Sequence, residues 1–198
     1  LDATDAPEFL CKLYFEGQIP CLGGVMALNG KSGETLWTHW TNHAIFSIDC
    51  TSDFTSDKIK DCIITGRGGI LQAIDGKTGK ALWELPGQQY SIADEKIVLN
   101  VYDARSMVDV NADGVGDVIV SHTRQSGRLR TSRVMLLSGK NGTVIKSIDF
   151  SNKEQLFIAP QVLVHPDGEI LYILSSCTPD QSGGVYIITQ HDLLHGTL

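Results

Sequence analysis

A segment of thirteen residues occurs three times in this chain and limits the fold more than any other feature. The copies run from Val25 to Trp37, from Leu71 to Trp83 and from Val134 to Lys146. Each contains a short apolar run, a Gly-Lys-x-Gly turn and a second short run. This pattern predicts a tight β-hairpin, because glycine reaches positive φ without steric cost. A weaker fourth copy begins at Val185 and lacks the turn.

The spacing of the copies indicates the architecture. They begin 46, 63 and 51 residues apart, and such intervals suit a four-stranded propeller blade. No segment of useful length keeps a 3.6-residue apolar period, so helices should be few. The sequence therefore predicts an all-β fold, a partial β-propeller with about three to four four-stranded blades. This one domain covers 1–198, with approximate blades at 1–43, 44–86, 104–150 and 157–190.

A partial ring should require more protein. Closed propellers have about 4 to 8 blades, and an open ring leaves two unpaired sheet edges. We therefore expect the remaining blades to come from the same polypeptide or from another chain. Trp37 and Trp83 end their copies and should pack between neighbouring blades. The alternative is a stacking platform for a flat ligand.

One acidic loop has the pattern of a calcium site. The nine residues from Asp109 to Asp117 read D-x-N-x-D-G-x-x-D between two apolar runs. Calcium takes about six to eight oxygen ligands, which alternate acidic or amide side chains in a tight turn can supply. An EF-hand would need glutamate at the twelfth position, which is Val120. The alternative is an Asx-rich turn that binds nothing. The predicted ligands of a structural calcium ion are the side chains of Asp109, Asn111, Asp113 and Asp117 and the backbone carbonyl of Val115.

The preceding copy contains a degenerate relative of this loop. If four residues are inserted, the residues that align with the four side-chain ligands are Asp49, Thr51, Asp53 and Asp61. In that alignment Phe54 replaces the required glycine. We therefore expect weak metal binding or none in this loop.

The five cysteines include no Cys-x-x-Cys pair, so a zinc ribbon is not expected. Cys50 and Cys62 should face each other across the hairpin of the degenerate loop, and we hypothesise a disulfide there in place of a metal. Cys11 and Cys21, on either side of a Gly/Pro segment, are a second candidate pair. Local disulfides favour an oxidising compartment. Buried free thiols are the alternative, and the pairing of Cys177 stays open.

Charge and hydropathy exclude some partners and suggest others. A net charge of −7 argues against nucleic acid, which is bound through a surplus of Lys and Arg. No stretch approaches the roughly 18 apolar residues of a membrane span, and no signal-peptide pattern is present, so membrane attachment would lie outside this chain. Asn141-Gly142-Thr143 is a glycosylation sequon on a predicted exposed turn. A candidate contact for an acidic protein partner, or else a solvated loop, is formed by Arg124, Arg128, Arg130 and Arg133.

Three motifs together resemble a known family. The loop from Asp109 to Asp117 with the following Val118-Ile-Val looks like the calcium-binding FG-GAP repeat of integrin α-subunit propellers. The string from Leu71 to Trp83 looks like the repeat of pyrroloquinoline-quinone propellers. With the run from Asp61 to Gly69 they resemble the "family with sequence similarity 234" proteins, also called integrin-α FG-GAP repeat-containing. The Phe-Gly and Gly-Ala-Pro signature of that repeat is not clearly present here, and only one loop keeps its full ligand set.

The resemblance implies a single-pass membrane glycoprotein with an extracellular propeller and no established enzymatic activity. We therefore expect a protein-binding scaffold at the extracellular face of the plasma membrane or in the lumen of the secretory pathway. The rival class is a quinone-dependent dehydrogenase, but the adjacent-cysteine pair typical of such enzymes is missing from the sequence. Gly-x-Ser-x-Gly, His-Glu-x-x-His and Walker motifs are also absent. A lumenal or periplasmic scaffold propeller is a third alternative.

Overall fold

The computed structural model describes residues 22–85, 97–126, 129–150, 154–178 and 182–196. Within them the chain forms thirteen strands and one short helix, α1. Their bounds are β1 Gly23–Leu28, β2 Thr35–Thr41, β3 Ile45–Ser52, β4 Asp61–Gly66, β5 Leu71–Ile74, β6 Ala81–Glu84, β7 Ile97–Ser106, β8 Val118–Ser126, β9 Leu129–Leu137, β10 Val144–Asp149, β11 Gln161–Val164, β12 Ile170–Cys177, β13 Gly183–Thr189 and α1 Gln190–His195.

The strands form four antiparallel sheets in chain order. Sheet 1 contains β1 and β2, sheet 2 contains β3 to β6, sheet 3 contains β7 to β10, and sheet 4 contains β11 to β13. Sheets 2 and 3 are complete four-stranded meanders in which each strand pairs with the next along the chain. The fold is therefore a partial all-β propeller, as predicted. No helix in the described ranges is long and apolar enough to cross a membrane.

Three apolar cores lie between successive sheets, and they explain why the second strand of each complete sheet is buried. All six residues of β4 are buried, because such a strand has a neighbouring sheet on both faces. The core between sheets 2 and 3 contains side chains from six strands, and Phe54 from a loop also enters it. The principal side chains of the three cores are Ile64, Ile74 and Trp37 between sheets 1 and 2; Ile63, Leu71, Trp83, Val118, Val120 and Leu137 between sheets 2 and 3; and Ile119, Leu136, Ile170, Tyr172 and Leu193 between sheets 3 and 4.

Both predicted tryptophans join neighbouring sheets. The indole Nε1 of Trp37 donates to the carbonyl of Gly76 in the next sheet at 2.9 Å, and Trp83 Nε1 donates to the carbonyl of Gly139 at 2.6 Å. The acceptors are the first glycines of the Gly-Lys-x-Gly turns. The last glycine of one turn, Gly142, has a φ of +73°, and there is no room for a side chain because a Cβ there would lie 2.5 Å from the Trp83 ring. The prediction that these tryptophans pack between blades is confirmed.

The third inter-sheet contact is built differently. The fourth copy forms β13 and then continues into α1 instead of a Gly-Lys turn. In the third copy Lys146 takes the place of the tryptophan. A Cβ on Gly196 would lie 3.3 Å from Lys146 Nζ, so the ammonium group sits at the carboxyl end of α1, where partial negative charge favours a cation.

Candidate metal-binding loop and its counterpart

The loop between β7 and β8 holds three of the predicted ligands close together. The carboxylate of Asp109 accepts the N–H groups of Asp113 at 3.2 Å and Gly114 at 2.8 Å. The side-chain oxygen of Asn111 also accepts from Asp113 N, at 3.0 Å. Ala112 and Gly114 turn the chain with φ of 60° and 88°. The side chains of positions 1, 3 and 5 therefore converge on one tight turn.

The carboxylate of Asp113 accepts hydrogen bonds from two side chains. The Ser138 hydroxyl donates to its Oδ2 at 2.8 Å, and the Asn111 amide donates to the same oxygen at 3.0 Å. The Ser138 hydrogen bond is the largest of the interactions that lower the pKa of Asp113, with those from Asn111 and the Val115 N–H and the nearby Lys140 charge adding to it. Asp113 is thus ionised at neutral pH.

Asp117, by contrast, is buried and faces the backbone. Its Oδ2 accepts from Val110 N at 2.8 Å, and its Oδ1 accepts a longer 3.4 Å bond from Gly139 N. Burial raises the pKa of Asp117, and the negative charge of Asp109 raises it further. Within the described ranges, no three His, Cys, Asp or Glu side chains are grouped closely enough to hold a metal. Val115 is half-buried and packs against the core between sheets 2 and 3.

A second loop, between β3 and β4, has the same hydrogen-bonding pattern, and we call it the counterpart loop. The carboxylate of Asp53 accepts from Asp57 N at 3.2 Å and Lys58 N at 2.8 Å, as Asp109 does in the first loop. Asp61 accepts from Phe54 N at 2.7 Å, as Asp117 accepts from Val110. The positions that correspond to Asp109, Asn111, Asp113 and Asp117 are therefore Asp53, Thr55, Asp57 and Asp61.

This correspondence corrects the alignment expected from the sequence. The two loops have equal length, so the four-residue insertion is wrong. Asp49 lies outside the loop and instead accepts from Ser106 N of sheet 3 at 2.8 Å. The glycine position is occupied by Lys58, which has φ +70, and not by Phe54. Phe54 matches the apolar second position and is buried against sheet 3, where a Cβ on Gly139 would lie 2.7 Å from its ring.

A lysine approaches each loop from the Gly-Lys turn of its own sheet. Lys140 Nζ donates to the backbone carbonyl of Asp113 at 3.4 Å. Lys77 Nζ lies 4.0 Å from the carboxylate of Asp57. In the second loop Lys58 adds a further positive charge in place of glycine. The counterpart loop therefore has one more lysine close to its carboxylates than the Asp109–Asp117 loop has. These lysines supply positive charge that a metal ion would otherwise supply.

The predicted disulfide between Cys50 and Cys62 is present. In sheet 3 the corresponding residues are Ser106 and Val118, which are direct cross-strand partners, and this proximity explains why the cysteines can bond. The bond lies just outside the counterpart loop. Cys177 is exposed and has a free thiol. Cys11 and Cys21 lie outside the described residues.

Comparison with known proteins identifies the relatives of this fold. The FAM234A/B beta-propeller model matches residues 16–179. The chain belongs to the FAM234A/B family. It is 29% identical over 153 residues to FAM234B of Gallus gallus and 27% identical over 161 residues to FAM234B of Homo sapiens, in each case across 76% of this chain and 23% of the relative. FAM234A of Bos taurus is 32% identical over 98 residues, which is 48% of this chain and 17% of the relative. The chain thus spans less than a quarter of these relatives, and the family resemblance predicted from its motifs is confirmed.

The remaining predicted sites of this FAM234-family chain are only partly described. Asn141 is exposed on its turn, and its side-chain oxygen accepts from Thr143 N at 3.0 Å and from the Thr143 hydroxyl at 2.8 Å. Glycosylation there stays a prediction. Arg124 is exposed on β8, whereas Arg133 forms an ion pair with Asp149 at 3.1 Å. Arg128 and the side chain of Arg130 lie outside the described residues.

Beside that ion pair is a buried histidine that the sequence did not single out. Burial, with the nearby Arg133 charge, lowers the pKa of His122 from 6.5 to about 4. A lowered histidine pKa contributes stability that is present above the unfolded value and is lost as pH falls toward the folded value. Between pH 7 and pH 5 the free energy of unfolding should therefore fall by about 2 kcal/mol from this residue. Urea denaturation at both pH values measures the loss.

His122→Gln is the matched variant for that prediction. It removes the titrating group, so its free energy of unfolding should change with pH by about 2 kcal/mol less than that of the parent. His165→Gln, an exposed histidine in a turn, should retain the parent's pH dependence. An equal pH dependence in parent and His122→Gln would contradict the assignment.

Proposed function

We propose that this chain is part of a non-enzymatic extracellular propeller, in a single-pass membrane glycoprotein, that binds protein partners and carries one structural calcium ion. The observation that carries the proposal is the loop from Asp109 to Asp117, where acidic and amide side chains converge. The Cys50–Cys62 disulfide supports an oxidising, extracellular or lumenal location. Membership of the FAM234A/B family supports a propeller scaffold.

The donor chemistry of the loop suits calcium. Asp109, Asn111 and Asp113 would supply hard oxygen ligands, and Val115 would supply its carbonyl. Asp117 would complete the set through an oxygen that now accepts the long, weak bond from Gly139 N. Bound calcium would offset the repulsion between these carboxylates. Burial raises the pKa of Asp117, and the Asp109 charge adds to that increase.

The position of the loop indicates what the ion would stabilise. Val110, the second residue of the loop, packs into the core between sheets 3 and 4, and Ser138 and Lys140 connect the loop to the β9–β10 turn. Fixing the loop would therefore fix a contact between neighbouring sheets. We therefore assign the ion a structural role.

Calcium titration tests the metal proposal. Extracellular calcium modules have Kd values of about 10⁻⁴–10⁻³ M. At about a hundred times its Kd, calcium should raise the free energy of unfolding of the protein by about 2.7 kcal/mol. Isothermal titration should give one bound ion. Asp113→Ala should abolish the heat, because it removes the central ligand.

The counterpart loop provides the matched control for this titration. Asp57→Ala changes the corresponding carboxylate, which lies near Lys77, and should leave calcium binding intact. Absence of heat from the parent protein at millimolar calcium would rule the ion out. If Asp113→Ala and Asp57→Ala lost the calcium-binding heat equally, the heat would not come from the Asp109–Asp117 loop.

Capture of partners from intact cell surfaces tests the scaffolding role. The chain would be presented with calcium and with a chelator, and the retained proteins compared. Arg124→Glu tests the predicted arginine cluster. Arg124 is exposed, and it is not part of the Arg133–Asp149 ion pair. A partner that depends on an acidic surface should be lost from this variant. Retention of every partner by Arg124→Glu would remove this arginine from the interface.

Light scattering tests how the ring is completed. The remaining blades belong, in our proposal, to the same polypeptide or to another chain. On its own, the chain should associate through its open sheet edges. A monomer with a sharp unfolding transition would contradict this expectation.

A further inference from the structure

The helix α1 presents two histidines that the calcium proposal does not use. His191 and His195 are four residues apart and both are exposed. Residues at i and i+4 lie on the same face of a helix. Their rings are accordingly 4.4 Å apart between centroids.

The short helix that carries them is fixed at both ends. The Thr189 hydroxyl accepts from Asp192 N at 3.0 Å and donates to the Asp192 carboxylate at 2.8 Å, which forms the amino-terminal cap. Gly196 closes the carboxyl end with φ of 74°. Between the caps, Leu193 is 1% exposed and packs in the core between sheets 3 and 4. The helix backbone is therefore held in place before any ligand arrives, with both imidazoles on the outside.

We propose that His191 and His195 form a binding site for a divalent transition-metal ion of the zinc class. Zinc binds imidazole nitrogen at about 2.0–2.1 Å, and two histidines at i and i+4 of a helix can each direct one nitrogen to the same ion. The Oδ1 of Asp192 lies 3.9 Å from Nδ1 of His191. At this distance the carboxylate forms no hydrogen bond to the imidazole, but its negative charge favours a divalent cation bound at the ring.

The ligand type separates this site from the calcium loop. Imidazole suits zinc, copper and nickel, whereas calcium prefers oxygen ligands. Two protein ligands leave the other coordination positions of the ion to water or to donors from another molecule. The site therefore does not depend on the calcium proposal, and either can fail without the other.

Zinc titration in the presence of saturating calcium tests the proposal. Calcium occupies oxygen-ligand sites first, so that added zinc reports on nitrogen or sulfur ligands. The parent protein should bind one zinc ion at micromolar concentration. His191→Gln and His195→Gln should each weaken binding by about tenfold or more. Both side chains are exposed, so the variants should fold, and their circular dichroism spectra check this.

Two control variants and one spectroscopic measurement locate the ion. His165→Gln and Cys177→Ser remove the exposed histidine of the β11–β12 turn and the exposed thiol of β12, and both should bind zinc as the parent does. In proton NMR spectra, substoichiometric zinc should shift the imidazole signals of His191 and His195 first. The proposal is wrong if the parent binds no zinc, if either helix variant binds it unchanged, or if a control variant loses it.

Discussion

Replacement of Trp83 by alanine should lower the free energy of unfolding by about 3–5 kcal/mol, the usual cost of deleting a buried large aromatic side chain. Trp83 is 8% exposed and lies in the core between sheets 2 and 3. Its indole also donates to the Gly139 carbonyl across the same junction. Alanine would leave a cavity between the sheets and an unpaired carbonyl. Urea denaturation monitored by circular dichroism measures the loss.

Two variants divide that loss into its parts. Trp83→Phe keeps most of the packing but removes the Nε1–H donor, so it should cost about 1–3 kcal/mol. Trp37→Ala makes the same change at the first junction, where the tryptophan is only half-buried, and should cost less than Trp83→Ala. If Trp37→Ala and Trp83→Ala cost the same, burial between sheets 2 and 3 is not the source of the effect.

The general fold could be predicted from the sequence because it is repetitive. Each Gly-Lys-x-Gly segment specifies a hairpin locally, and three copies at blade-like intervals specify a propeller without knowledge of any long-range contact. The tryptophans at the ends of two copies likewise suggested the inter-sheet packing that the structure shows. The third junction follows a different rule, because Lys146 and the end of α1 replace the tryptophan and the turn.

The alignment of the two loops could not be fixed from the sequence. Aspartates recur every fourth position from Asp49 to Asp61, so two registers place acidic residues at ligand positions. Hydrogen bonds decide between the registers, because Asp53 accepts from the N–H groups of Asp57 and Lys58, as Asp109 accepts from those of Asp113 and Gly114. Lys58 has positive φ, where glycine is the residue expected. The sequence therefore did not indicate the turn at this position.

The helix α1 was missed for a related reason. Six residues are too few to show helical periodicity. Its two caps were nevertheless visible in the sequence, because Thr189 precedes the helix and Gly196 follows it. Cap signals therefore indicate short helices where apolar spacing does not.

Asp61→Ala should lower the free energy of unfolding as much as Trp83→Ala does, by about 3–5 kcal/mol. Asp61 is 1% exposed. Its carboxylate accepts from Phe54 N at 2.7 Å, Thr55 N at 3.0 Å and Gly76 N at 2.9 Å. Alanine would leave these three N–H groups without their acceptor, the Phe54 N–H in a buried position and the other two in partly buried ones. The counterpart loop and the β5–β6 turn would both lose the carboxylate that hydrogen-bonds their backbone. Urea denaturation measures the effect.

Asp61→Asn and Asp53→Ala distinguish this anchoring role from a general effect of charge in the loop. Asparagine keeps one oxygen acceptor but turns an amide donor toward the remaining N–H groups, so it should cost less than alanine and still be clearly destabilising. Asp53 also accepts two backbone N–H groups, but it is solvent-exposed, and water can replace its carboxylate in Asp53→Ala. That variant should unfold close to the parent. If Asp53→Ala were as unstable as Asp61→Ala, the charge of the loop and not buried hydrogen bonding would hold the turn.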